Sequence, residues 1–119
     1  MTKTIFNIIQ SNTTGGGMES IFLDYSQILK DEKFNVICLV SKNFCHLNKL
    51  KNLGIKTQIL NIRGHFDPIA AVKLYFLSKK HSPELLIAHN GRSFACINLC
   101  QIIFKIGTIA LWKNQRFKV

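Results

Sequence analysis

The stretch Thr4–Ser20, TIFNIIQSNTTGGGMES, decides how the chain folds. Thr4 to Ile9 is a short run rich in β-branched residues, as expected of a strand buried on both faces. From Met18 the apolar residues fall at 18, 21, 22, 25, 28 and 29, which predicts a helix to Leu29. Between the two, Gln10 to Gly17 holds three consecutive glycines, in a chain with seven in all. Each glycine in an ordered element costs roughly 0.5–1 kcal/mol relative to alanine. A triplet therefore means that the backbone turns sharply or that something comes very close to it. A loop that leaves a strand and opens a helix is also where main-chain amides and the helix dipole hold an anion.

The same alternation continues outward. Phe34–Val40 reads as a strand, and Phe44–Leu53 as a short helix with apolar residues at 44, 47, 50 and 53, stopped by Gly54. Ile55–Ile62 alternates like a more exposed strand. Arg63 to Asp67 is a loop, Asp67 the expected N-cap of a helix that starts at Pro68 and runs to about Lys80. Leu85–Ala88 is a buried strand ending at His89-Asn90-Gly91-Arg92. Ser93–Lys105 has a helical pattern, and Thr108–Trp112 is a last apolar run. The order β-α-β-α-β-α-β-α-β implies right-handed crossovers, a parallel sheet and helices on both faces. Ligands in such sheets bind outside the carboxyl ends of the strands. Those ends are Gln10–Gly17, Ser41–Asn43, Arg63–Phe66, His89–Arg92 and the segment after Trp112.

Composition narrows the partners. The 119 residues suffice for one domain, and only 18% are charged, which excludes a disordered chain. Sixteen Lys and Arg against six Asp and Glu give a formal charge of +10, a general attraction to phosphates and anionic lipid. The lysines are dispersed and no arginine-rich or aromatic-basic stripe exists, so no nucleic-acid partner is expected. Cys38, Cys45, Cys96 and Cys100 match neither zinc nor redox spacing; they read as thiols in a reducing cytoplasm, most of them in the core, and no metal or cofactor is expected. His46 and His81 read as surface residues. The N-terminal apolar run is too short for a signal peptide, and Asn98, Gln101 and Lys105 interrupt Phe94–Trp112 too much for a membrane span.

Two nucleotide-binding motifs place glycines at such a turn, and neither is complete here. A P-loop requires a Lys-Ser/Thr pair that Met18-Glu19-Ser20 does not provide. Gly15-x-Gly17-x-x-Ser20 approaches the dinucleotide fingerprint, but Val40-Ser41-Lys42-Asn43 offers no carboxylate for the ribose; Lys42 could meet only a 2′-phosphate. Glu19 suits the first turn of the helix electrostatically.

A third pattern fits more of the chain. Strand, SNTTGGGMES and helix, then strand, helix, strand, and finally LLIAHNGRS, resemble the N-terminal half of GT-B glycosyltransferases of the retaining family 4 type. Gly16-Gly17-Met18-Glu19 matches the two glycines, short residue and Glu or Gln that open the family's first helix. The resemblance covers essentially the whole chain. It implies a Rossmann-like parallel sheet, residues 1–119 as a single acceptor-side domain, and a cytoplasmic protein in cell-envelope polysaccharide or lipopolysaccharide assembly. Its implied partners are a nucleotide-sugar donor and a lipid or saccharide acceptor.

The resemblance also implies roles for residues. Gly16 and Gly17 would meet the donor phosphates, whose leaving oxygens need main-chain N–H groups unobstructed by a Cβ. His89, Asn90, Arg92, Arg63 and His65 would line the acceptor cleft. The family's fifth strand ends in a His that reaches the reacting sugar; Lys113 occupies that position here, and it lacks neutral imidazole chemistry. The donor-binding C-terminal domain is expected to be absent from this chain, as in a truncated enzyme. The chain alone is therefore expected not to turn over and to need a separate C-terminal half or a second copy. Pro68–Lys80, with Phe66, Leu74, Tyr75, Phe76 and Leu77 beside Lys73, Lys79 and Lys80, could lie peripherally on the inner face of an anionic membrane. A non-catalytic Rossmann-like binding or assembly domain is the alternative, and a dinucleotide oxidoreductase comes third.

Overall fold

The computed structural model describes residues 3–10, 17–64, 66–104 and 109–112. Five strands and four helices alternate along them: β1 Thr4–Ile9, α1 Gly17–Asp31, β2 Asn35–Val40, α2 Leu47–Asn52, β3 Lys56–Ile59, α3 Pro68–His81, β4 Leu85–Ala88, α4 Gly91–Phe104 and β5 Ile109–Trp112. The strands form one parallel sheet in the order β3-β2-β1-β4-β5. The Rossmann-like α/β expectation is met.

Alternation of side chains along β1 and β2 sorts the core into two layers. Phe6 and Ile8 of β1, Ile37 and Leu39 of β2 and Leu86 of β4 pack under α3 and α4, where Ala71, Leu74, Ile97 and Cys100 are buried. On the opposite face Ile9, Val36, Cys38 and Val40 pack with Phe22 of α1 and Leu50 of α2. The chain builds outward from β1 to β3, then crosses to the other side of β1 for β4 and β5. The β1–β4 junction is thus the point where strand order reverses, the place at which open α/β sheets leave a crevice outside their carboxyl ends.

Several boundaries differ from the sequence pattern for identifiable reasons. The strand expected over 55–62 ends at Ile59, because the side-chain amide of Gln10 captures the backbone of Leu60 and Ile62. α4 begins at Gly91 rather than Ser93, because Asn90 caps it: its Oδ1 accepts from the Ser93 N–H at 3.2 Å and from Ser93 Oγ at 2.6 Å. In α1 the expected apolar face is rotated: Ile21 and Ile28 are exposed, whereas Glu19 and Ser26 are buried. Asp67 caps α3 as expected, its Oδ1 accepting from Ala70 N–H at 3.2 Å.

Two exposure expectations are corrected. Leu74 is fully buried and Tyr75 and Leu77 pack on the core, so the outward face of α3 carries Ile69, Val72 and Phe76 instead, with Phe66 exposed just ahead of the helix. His46 and His81 are only partly exposed, their rings edge-on to Phe44 and Phe6 at 5.8 and 6.0 Å. Burial, with Lys80 and Lys56 nearby, holds His81 below its usual pKa. Cys38, Cys96 and Cys100 are buried and Cys45 exposed; all are free thiols. Burial pushes Cys38 and Cys96 up to about 12 and Cys100 to about 11. No helix among the described residues is long and apolar enough to cross a membrane.

Candidate functional site

Two side-chain amides tie the carboxyl edge of the sheet together. Gln10, 4% exposed at the end of β1, donates from Nε2 to the carbonyls of Ile9 and Leu60 and accepts the Ile62 N–H on Oε1 at 2.8 Å. The side chain thus continues the sheet's hydrogen bonding where β3 has ended. Asn90 reaches the other way, its Nδ2 donating to the Gln10 carbonyl across the reversal point while its Oδ1 caps α4. Backbone polar groups that would otherwise be orphaned at the crevice are satisfied by these two residues.

Below them runs a buried polar chain. Asn7 sits mid-strand with no exposed surface, and its Nδ2 donates to Ser26 Oγ of α1 at 2.9 Å. Its Oδ1 lies 2.6 Å from His89 Nε2. With Asn7 oriented by Ser26, only a protonated Nε2 makes a hydrogen bond there, which fixes the ring as a donor on that nitrogen. Ser26 Oγ donates to the Phe22 carbonyl at 2.9 Å, so the Cys38 thiol, 3.3 Å away, is the donor to Ser26. His89 is fully buried, edge-on to Phe22 and Tyr25 at 5.1 and 5.5 Å. It therefore supports the crevice from beneath rather than lining an open cleft.

The open cleft lies beside it, at the ends of β1, β2 and β3. It measures about 520 Å³ and is lined by Gln10, Ser41–Asn43, Asn61–Arg63 and Arg92. Three elements place its cations. Lys42 follows β2, with its backbone N–H donating to Asn61 Oδ1 at 2.7 Å. Arg63 follows β3; its N–H donates to Asp67 Oδ2 at 2.9 Å and its Nε stands 4.0 Å from the same oxygen. Arg92, in the first turn of α4, donates to the Ile62 carbonyl at 3.0 Å. The Asp67 carboxyl is held below the usual carboxylate range, first by the Arg63 backbone N–H. Among the described residues no Asp or Glu lines this cleft.

Of the sequence candidates, Asn90, Arg92 and Arg63 come together around this edge, and Gly17 is the first residue of α1. Gly16, His65 and Lys113 lie outside the described residues. Asn7, Gln10, Asn43 and Asn61 were not singled out by the sequence pattern. A polar residue inside an apolar strand was the available signal for Asn7, and position at a strand end the signal for Gln10 and Asn43. Among the described residues no group of three His, Cys, Asp or Glu side chains could hold a metal ion.

No protein-family model matches the chain, and no curated protein does. Solved structures do. A glycosyltransferase from Rickettsia africae aligns over 99% of this chain and 31% of its own, at TM-score 0.72 and 13% identity. MurG from Acinetobacter baumannii aligns over 92% and 34%, at 0.67 and 17%. HepE from Anabaena, solved in complex with UDP, aligns over 93% and 29%, at 0.67 and 13%. The likeness is one of fold. The chain spans about a third of the length of each of these proteins.

Proposed function

We propose that the chain is the N-terminal, acceptor-side domain of a GT-B glycosyltransferase of the retaining family 4 type, acting in cell-envelope polysaccharide or lipopolysaccharide assembly. The observation that carries this is positional. In sequence the glycine stretch lies between β1, the strand at which the order reverses, and α1, in a fold shared with a protein solved with UDP. Gly16 and Gly17 meet the donor diphosphate, where main-chain N–H groups stabilise charge developing on the leaving group. Asn90, Arg92, Arg63 and His65 form the acceptor side, and His89 holds its floor.

Glycosyl transfer requires the donor's nucleotide to be gripped from a second domain, and Lys113 replaces the expected histidine. Residues 1–119 form the acceptor-side domain, and a nucleotide-gripping domain, on the same polypeptide or another, completes the site. The chain works in the cytoplasm at the inner face of the membrane, where the outward face of α3 sets Ile69, Val72 and Phe76, with Phe66 just ahead of the helix, beside Lys73, Lys79 and Lys80. The test is titration with UDP- and GDP-sugars, then NADPH, followed by amide shifts. Saturable shifts at Gly17 and its neighbours with a nucleotide-sugar support the proposal. Binding to none of these, together with a stable dimer, favours a non-catalytic assembly domain, and preference for NADPH an oxidoreductase.

A further inference from the structure

We infer that the cleft between the ends of β2, β3 and α4 binds a phosphate monoester carried by the acceptor. This rests on the acceptor-side assignment above and gives it a substrate class. Lys42, Arg63 and Arg92 reach one cleft from three different elements, and among the described residues no carboxylate lines it. Arg92 occupies the first turn of α4, where the helix dipole disfavours a cation, so a bound anion would relieve both charges. Its contact with the Ile62 carbonyl uses one of five guanidinium N–H donors and leaves others for a ligand. Arg63 stays three-quarters exposed, and its contact with Asp67, Nε to Oδ2 at 4.0 Å, is a loose ion pair that leaves its other N–H donors for a ligand. Asn43 and Asn61 supply neutral polar groups on the same walls, and about 520 Å³ accommodates a sugar phosphate. The arrangement resembles a charge cluster awaiting its counter-ion more than a solvated surface, because such a surface would intersperse both signs.

The full chain, labelled with ¹⁵N, is titrated with glucose 6-phosphate, inorganic phosphate and glucose. Saturable shifts are expected at the amides of Lys42, Asn43, Asn61 and Arg63 with glucose 6-phosphate, weaker binding with inorganic phosphate, and none with glucose. The Lys42→Gln/Arg63→Gln variant is expected to bind at least tenfold more weakly. A charge-matched control at the far side of the fold, Lys51→Gln/Lys56→Gln, is expected to stay within twofold. Absence of saturable shifts at the cleft overturns the inference, as does equal weakening in both variants, which would reduce it to net charge. Inorganic phosphate binding as tightly as the sugar phosphate overturns the acceptor assignment. A parallel UDP titration separates the two proposals: shifts at Gly17 without any at the cleft leave the glycosyltransferase assignment standing and remove this one. Cleft shifts without UDP binding remove the glycosyltransferase assignment and, with it, the acceptor role of the phosphate, while leaving the phosphate-monoester site itself.

Discussion

At the residue scale, three positions among the described residues adopt the left-handed backbone: Lys33, Gly54 and Ser82, with φ of 73°, 76° and 50°. Two of them close the same helix-ending motif. Lys33 donates to the Lys30 carbonyl while Phe34 donates to Leu29, and Gly54 donates to Lys51 while Ile55 donates to Leu50. Only Gly54 has the side chain suited to it, and it alone was readable in the sequence as a stop. Lys33→Gly is therefore expected to stabilise the fold by about 0.5–1 kcal/mol in urea melts, and Gly54→Ala to destabilise it by a similar amount. Asn7 is the opposite case, a residue whose local pattern said nothing of its role. In Asn7→Leu, Ser26 and His89 lose a buried partner, and a loss of about 1–3 kcal/mol in the same assay follows. A matching loss with Asn7→Ala but none with Asn7→Leu would place the cost in packing instead.

At the element scale, the periodicities that identify a strand or helix are local, and they located all nine elements. At the start of α4 the cap is local, Asn90 three residues before Ser93, and apolar periodicity alone does not register it. At the end of β3 the intervening side chain, Gln10, lies 50 positions from Leu60, beyond any sequence window. α1 shows the same limit, since Ser26 is turned inward by Asn7 and carries Ile21 and Ile28 to the surface. The α3 cap was legible because its signals, Asp67 before Pro68, are adjacent. Its energetics depend on pH. The Asp67 carboxyl is lowered by backbone N–H groups, so its contribution is complete above the unfolded value near 4 and fades as pH falls through the folded value. Asp67→Ala is expected to cost about 1 kcal/mol at pH 7, with the gap to the parent protein narrowing in acid.

At the scale of the whole molecule, charge and exposed apolar surface converge on α3. A double substitution, Phe66→Ser with Phe76→Ser, removes two large exposed side chains without touching the core and is expected to cut co-sedimentation with phosphatidylglycerol-containing vesicles severalfold. Neutral vesicles should bind neither protein. The parallel sheet and its strand-end crevice followed from the order of elements alone. The cationic cleft did not, because Lys42, Arg63 and Arg92 are separated by long stretches of sequence and meet only through the strand order.

That strand order also governs the timing of assembly. β1 to β3 can pair as soon as they leave the ribosome, yet β1's other edge waits for β4, and the Asn7–His89 bond joins residues 82 positions apart. Until β4 docks, a polar amide lies at the centre of a half-built sheet without its histidine, so the β1 edge facing β4 closes later than the edge facing β2. Long-range closure of this kind slows folding. Pulse-labelled amides of β2 and β3 should gain protection before those of β4, and the buried polar chain is the last part of the core to close.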